Sequence, residues 1–195
     1  DTAAVFINDV SVNEGDSGTT ALTFTVSIDK PASQDITVRA NTSAGSATGG
    51  GTDYADVSNQ LVTISAGSTS ASVTVNVTGD EILEPTETFT VTLTDPQING
   101  GTDGTRVNID DATGTGTILN DEPTALDDTS NTLEDTAVTI QVLENDTNPL
   151  GETLGVTVTG NTNGVGVANS DGSITFTPTA DFNGTGTVTY SINGT

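Results

Sequence analysis

Apolar and polar residues alternate along most of this 195-residue chain. In the segment Leu22–Ile28, Leu22, Phe24 and Val26 would face one side, and the threonine and serine residues between them would face the other. A period of two is that of a β-strand with one buried face, whereas an amphipathic helix repeats its apolar residues about every 3.6 positions. The pattern predicts an all-β protein.

The same alternation recurs in segments separated by clusters of glycine, asparagine, aspartate and serine, which favour turns. The other segments are Ile36–Ala40, Leu61–Ile64, Val73–Val77, Phe89–Leu93, Val107–Ile109, Thr117–Leu119, Val138–Leu143, Leu154–Thr159, Val165–Ala168, Ile174–Thr177 and Val188–Ile192. Many short strands joined by such turns are typical of immunoglobulin-like β-sandwiches.

The alternation stops at NDEPTALDD, residues 120–128, where Pro123 blocks continuation of a strand and acidic residues accumulate. We predict a domain boundary here, with one sandwich over residues 1–121 and a second over residues 122–195. The second is short for a closed sandwich. We therefore predict that it lacks its last strand unless a neighbouring repeat or subunit supplies one.

The charge balance excludes several classes of partner. The chain has 27 acidic residues and 3 basic ones, for a formal net charge of −24. Lys30, Arg39 and Arg106 are too few to neutralise a nucleic acid or an anionic membrane surface. No stretch approaches the roughly 20 apolar residues of a membrane-spanning helix. We expect neither nucleic-acid binding nor membrane insertion.

The residue types that are missing argue against catalysis. Cysteine and histidine are absent, which removes disulfides, thiolate nucleophiles and the commonest general base. Asp110 and Asp111 are neighbours that would point to opposite faces of a strand. We expect that the protein is not an enzyme. Methionine is absent too, so we expect Asp1 to follow a processing step or to lie inside a longer chain.

Four segments carry a family resemblance in the first half. They are DVSVNEGDSG at Asp9–Gly18, GTDY at Gly51–Tyr54, GDEILEPTETFTVTL at Gly79–Leu93 and GTGTILNDE at Gly114–Glu122. Residues 1–122 resemble the Calx-beta domain, a sandwich of extracellular matrix, adhesion and sodium–calcium exchange proteins. The resemblance implies calcium ligands at Glu14, Asp80, Glu84, Glu87 and Asp121, with Asn120 and Glu122 at positions where the best-known members have aspartate.

Calcium also suits this composition, because it takes roughly six to eight oxygen ligands and needs neither histidine nor cysteine. Pro85 favours a turn that would bring Glu84 and Glu87 to one point. The DGTA turn of the family reads AGSA at Ala44–Ala47, so we expect fewer ions or weaker binding than in the strongest members. The alternative is a solvated acidic surface without metal, although two carboxylates about 4 Å apart repel by about 4 kcal/mol near a protein surface.

The second half resembles the cadherin-like or immunoglobulin-like tandem repeats of large bacterial surface proteins. The resemblance rests on LEDTAVTIQVLENDTNPLGETL at Leu133–Leu154 and DGSITFTPTADFNGTGTVTYSI at Asp171–Ile192. It implies a location outside a bacterial cell or on its surface. We expect Asp127 and Asp128 to add calcium ligands near the domain boundary, and the further candidates are Glu134, Asp135 and Asp146. Turn formation is the alternative role of such acids.

Members of this second family usually continue after the strand that holds Tyr190 with one further strand. The beginning of this chain has the character of such a strand. We predict donation by Asp1, Thr2, Ala3, Ala4, Val5, Phe6, Ile7 and Asn8. Two arrangements stay open: a covalent tandem array, and separate subunits that donate this strand head to tail.

These features predict a structural repeat unit of an extracellular fibre, biofilm matrix or adhesin stalk that calcium rigidifies at the interdomain joint, with neighbouring copies of the chain as partners. One alternative is an adhesin module that recognises a carbohydrate or protein on another surface. The two tyrosines, five phenylalanines and absence of tryptophan argue against a sugar site built on exposed aromatic rings. Another alternative is a spacer in a much larger enzyme or toxin.

Overall fold

The computed structural model describes residues 2–99, 101 and 106–194. The regular secondary structure of these residues consists of β-strands. The chain divides into two compact units, Asp1–Asn120 and Asp121–Thr195. This confirms the predicted all-β class with tandem sandwich domains. Within the described ranges, no helix has the length and apolarity that crossing a membrane requires.

The first unit folds into two sheets packed face to face. The strands are β1 (Ala3–Ile7), β2 (Val10–Asn13), β3 (Gly18–Ile28), β4 (Ile36–Ala44), β5 (Gln60–Ile64), β6 (Ser70–Gly79), β7 (Glu87–Ile98), β8 (Val107–Ile109) and β9 (Thr113–Leu119). One sheet has the order β6-β3-β1-β8 and the other β2-β9-β7-β4-β5. Each alternating segment of the first half therefore forms a strand.

The core of the first unit is filled from both sheets because alternate side chains of each strand point inward. Phe24 and Val26 of β3 are buried, as are Phe89 and Val91 of β7. The Phe89 ring stacks on Tyr54 with the ring centroids 4.2 Å apart. It also meets the edge of Phe24 at 6.1 Å. These three rings form the centre of the core.

The N-terminal segment lies in the sheet of its own domain. β1 pairs antiparallel with β3 and parallel with β8, so both of its edges are occupied. Ala3, Val5 and Ile7 are buried in the core. The predicted donor segment thus completes its own sandwich, because its inward side chains fill the core there. Asp1 lies outside the described residues.

The second unit has a smaller set of strands in two sheets. They are β10 (Val138–Ile140), β11 (Leu154–Thr162), β12 (Gly164–Ala168), β13 (Ile174–Pro178) and β14 (Thr187–Gly194). The sheets have the orders β10-β13-β12 and β11-β14. Asn163 and Gly172 make the turns after β11 and β12 with φ of 54° and 83°, the conformation that favours asparagine and glycine in hairpins.

The core of the second unit is small. Its buried apolar side chains among the described residues are Val142, Ile174 and Phe176. β14 pairs with β11 alone in the described part of the chain. An unpaired strand edge there agrees with the prediction of a sandwich without its last strand.

Candidate metal centre

The loop between β6 and β7 is held in place by two polar contacts. Asp80 Oδ1 accepts a hydrogen bond of 2.8 Å from the Ile82 amide, which turns the chain just after β6. The Glu84 amide donates to Asn120 Oδ1 at 2.9 Å. Asn120, a residue implied as a calcium ligand, therefore fastens this loop to the end of β9. Its oxygen positions Glu84.

The first group of acids forms where this loop and the start of β7 meet the separate loop that holds Asp53. One carboxylate oxygen from each of Asp53, Glu84 and Glu87 lies within 4.8 Å of the others, and we call these three residues the loop cluster. All three side chains are partly buried. Asp53 Oδ2 accepts a 2.5 Å hydrogen bond from the Thr48 amide, which fixes its carboxylate. The structure thus brings together the Glu84 and Glu87 pair that the Pro85 turn predicts.

Burial and the neighbouring negative charges raise the pKa values of two members of the loop cluster. Burial raises the pKa of Glu84, and the charges of Asp53 and Asp80 raise it further. Burial is also the largest cause of the raised pKa of Glu87, followed by a hydrogen bond with Asp53 and by the charges of Asp53 and Glu84. The ionised forms of Glu84 and Glu87 are therefore less favourable here than in water. A bound cation would relieve the repulsion.

Sequence reasoning missed Asp53 as a member of the loop cluster. The residue belongs to the GTDY segment, which carried the family resemblance but no assigned ligand. Asp53 is far from Glu84 along the chain, and neither spacing nor alternation indicates that the two loops meet. Asp80, which was assigned, contributes charge next to Glu84 but lies outside the group of three.

A second group of acids forms where β2 and β9 end. The two strands run parallel, with Asn13 opposite Leu119, and the Glu14 amide donates to the Leu119 carbonyl at 3.3 Å. Glu14 therefore lies beside the residues that continue β9. One carboxylate oxygen from each of Glu14, Asp121 and Glu122 lies within 4.8 Å of the others. We call these three the buried cluster, since their side chains are only 3%, 2% and 6% exposed.

The donor set of both clusters fits a hard divalent cation. It consists of carboxylate oxygens, the ligand type that calcium and magnesium prefer over softer metals. Burying three carboxylates side by side is unfavourable, because each loses hydration and each repels the other two. A divalent cation would offset both costs and would supply the positive charge that holds the surrounding segments together.

The acids of the second unit surround a tyrosine instead. The Tyr190 hydroxyl donates to Asp128 Oδ2 at 3.0 Å. Burial is the largest cause of a raised pKa for Tyr190, followed by the Asp128 hydrogen bond and the charges of Asp146, Asp128 and Asp127. Asp146 Oδ1 accepts from the Leu126 amide at 2.7 Å, and its Oδ2 is buried without a hydrogen-bond partner in the described residues. Among the described residues that follow Glu122, no three carboxylate side chains come together as they do in the two clusters.

Glu134 and Asp135 act in a turn. Asp135 has a φ of 61° and accepts a 2.9 Å hydrogen bond on Oδ1 from the Asp181 amide. Glu134 is exposed, and its carbonyl oxygen accepts from the Thr136 hydroxyl at 3.4 Å. The Asp135 side chain therefore has the turn role that was the alternative, and metal binding by Glu134 and Asp135 stays a prediction.

Known families match both halves of the chain. Residues 2–122 match the family model of the Calx-beta domain, and residues 120–194 match that of the bacterial Ig domain. Calx-beta and bacterial Ig domains are families of binding and structural domains. No curated protein sequence matches the chain.

Solved structures show the same fold. The apo-form Calx CBD1 domain is 21% identical with a TM-score of 0.52, and the match covers 63% of this chain and 100% of that one. The calcium binding domain CBD12 of CALX1.1 is 15% identical with a TM-score of 0.53, and the match covers 97% of this chain and 70% of that one. The Calx-beta model alone matches more than half of the chain. The chain therefore belongs to the Calx-beta domain family, with a bacterial Ig domain following in its second half.

Proposed function

We propose that the first domain binds calcium at the loop cluster and the buried cluster. The observation that carries this proposal is the burial of Glu14, Asp121 and Glu122 with carboxylate oxygens within 4.8 Å of one another. One of the similar solved structures is that of a calcium binding domain, which supports the same interpretation. Calcium suits ligands on irregular loops, whereas magnesium demands a near-ideal octahedron at shorter distances.

The turn at Ala44–Ala47 limits the number of ligands. Ser46 Oγ accepts from the Thr88 amide at 2.9 Å, and the Ala47 amide donates to the Thr88 carbonyl at 2.9 Å. The turn is therefore held by neutral groups, and it has no carboxylate with which to complete a shell. We propose that this domain holds fewer ions, or holds them more weakly, than relatives with an aspartate in this turn.

Thermal unfolding in calcium and in chelator tests the proposal. A ligand at about one hundred times its Kd stabilises the folded state by roughly 2.7 kcal/mol. We expect the melting temperature of the first domain to rise by several degrees and to saturate with calcium. Glu14→Gln should reduce this rise. Glu144→Gln, the same change at an exposed residue of the second domain, should leave it intact. An unchanged melting temperature up to millimolar calcium would overturn the proposal.

For the whole chain we propose the role of a repeat unit in an extracellular fibre or adhesin stalk. The support is the succession of a Calx-beta and a bacterial Ig domain. Asp121 and Glu122 lie where the chain passes from one domain to the next, so an ion bound to them would restrain the backbone at that passage. Small-angle scattering should show a narrower distribution of intramolecular distances in calcium than in chelator. Identical profiles at saturating calcium would sink the idea.

Of the two head-to-tail arrangements we favour the covalent array. The support is β1, which has both edges paired and its apolar side chains buried within its own domain. The test is the mass of native material under denaturing conditions after calcium removal. A mass many times that of this 19.6 kDa unit is expected. A single band near the mass of one unit would favour strand donation between subunits.

A further inference from the structure

The first domain has a polar cleft apart from its carboxylate clusters. The cleft lies between the second half of β4 and the loop of residues 49–58, and its volume is about 520 Å³. Asn41, Gly49, Tyr54, Asp56 and Ser58 are among the residues that line it. The volume falls within the roughly 300–1,000 Å³ that is usual for small-molecule sites.

The Tyr54 hydroxyl is held at the wall of this cleft. The Tyr54 side chain is only 1% exposed, and its ring is fixed by stacking on Phe89. In the described part of the chain the hydroxyl has no hydrogen-bond partner, although it borders the cleft. The hydroxyl oxygen is not among the buried side-chain atoms that have no partner, so water in the cleft reaches it, and a hydroxyl group of a ligand would replace that water.

Other groups around the cleft supply both donors and acceptors. Asn41 Oδ1 accepts from the Asn59 amide at 2.8 Å, so its Nδ2 is oriented as a donor. Asp56 and Ser58 are exposed, and their side chains make no hydrogen bond within the described ranges. The cleft thus offers a carboxylate that accepts hydrogen bonds, an amide that donates them, and two hydroxyl groups that can do both. Such a set suits the hydroxyl groups of a sugar.

Gly49 keeps the cleft open. A Cβ atom at this position would clash with Asp56 Oδ1 and would lie 3.2 Å from the Tyr54 hydroxyl oxygen. A larger residue would therefore displace the carboxylate and crowd the hydroxyl. The glycine allows both polar groups to converge on the same space.

We propose that this cleft binds a neutral saccharide unit of a glycan chain. No basic side chain lines it, and the formal charge of −24 repels acidic sugars and phosphates. The ring face of Tyr54 is covered by Phe89, so the ligand is held by hydrogen bonds without aromatic stacking. None of the residues that line the cleft belongs to either carboxylate cluster, although Asp53 of the loop cluster lies in the same loop, next to Tyr54.

A titration of the full 195-residue chain tests the proposal, with the amide chemical shifts as the readout. The ligands are neutral oligosaccharides of glucose, galactose, mannose and N-acetylglucosamine. Saturable shifts at Asn41, Gly49 and Ser58 are expected with at least one of them in chelator, where the outcome does not depend on calcium at the loop cluster. Tyr54→Phe should weaken binding about tenfold, the value of one lost hydrogen bond in a site. Tyr190→Phe, which removes a hydroxyl from the second domain, should leave the affinity unchanged.

A second variant, Asp56→Asn, guards against misfolding of Tyr54→Phe, since Asp56 is exposed. It should also weaken binding. Absence of saturable shifts with every neutral sugar would overturn the proposal. Binding restricted to amine-bearing oligosaccharides and unaffected by Tyr54→Phe would overturn it too, because it would reflect the acidity of the whole domain.

Discussion

Asp53 and Glu87 lie on separate segments of the first domain, yet a carboxylate oxygen of one lies within 4.8 Å of a carboxylate oxygen of the other. Burial raises the pKa of Glu87, and the neighbouring Asp53 and Glu84 raise it further; burial with neighbouring acids also raises the pKa of Glu84. A bound cation would oppose these shifts, because its positive charge favours the ionised carboxylates.

This relationship predicts opposite effects of pH with and without calcium. A raised pKa in the folded state means that the folded protein binds more protons than the unfolded chain, so stability without calcium should increase as pH falls from the raised pKa values toward the ordinary value of 4.5. With calcium bound, acidification should lower stability because protons compete for the same oxygens. Thermal unfolding between pH 7 and pH 5 measures both slopes. Equal slopes in calcium and in chelator would contradict the prediction.

The loop cluster offers a matched pair of substitutions. Glu84 belongs to the cluster, whereas Glu81 lies in the same loop, is exposed and is not a member. Glu84→Gln should weaken calcium binding about tenfold or more, and Glu81→Gln should change it little. Calorimetric titration of both variants measures the difference, each factor of ten being about 1.4 kcal/mol. Equal losses in the two variants would indicate a diffuse effect of surface charge.

Gly116 tests the packing of the aromatic core. A Cβ atom there would lie 2.5 Å from a ring atom of Phe89, so Gly116→Ala should force the ring away from Tyr54. We expect a loss of about 1–3 kcal/mol in the free energy of unfolding, as for other overpacked cores. Urea unfolding measures it, with exposed Leu61→Ala expected to stay within about 0.5 kcal/mol of the parent. Unaltered stability of Gly116→Ala would mean that the aromatic core is loosely packed.

Val5 distinguishes a structural from a donated first strand. It is fully buried in the sheet between β3 and β8. Val5→Asp would bury an unpaired charge, and we expect the first domain to lose at least about 3 kcal/mol of stability in the isolated chain. Denaturant unfolding gives this value. A normally stable domain that no longer associates head to tail would instead show that the strand serves a neighbour.

The strands were predictable because their signal is local. Leu22, Phe24 and Val26 alternate with polar residues, and the same residues line the core in β3. The turn at Asn163 was predictable for a similar reason, since the backbone needs a positive φ there. Each of these features depends on a few consecutive residues.

The candidate site was predictable only in part, because its members meet through long-range folding. The Glu84 and Glu87 pair follows from the Pro85 turn, but Asp53 joins it from a distant loop. Asn120 has the oxygen expected of a ligand, yet that oxygen accepts from the Glu84 amide. Which oxygens remain available to a metal depends on such contacts, and residue types alone do not determine them.

Calorimetric titration of calcium into the chelator-treated chain at neutral pH tests the central claim most directly. We expect saturable binding that Glu14→Gln and Glu84→Gln each reduce separately, since the two residues belong to different clusters. Absence of saturable binding at millimolar calcium, or binding that neither substitution alters, would contradict it.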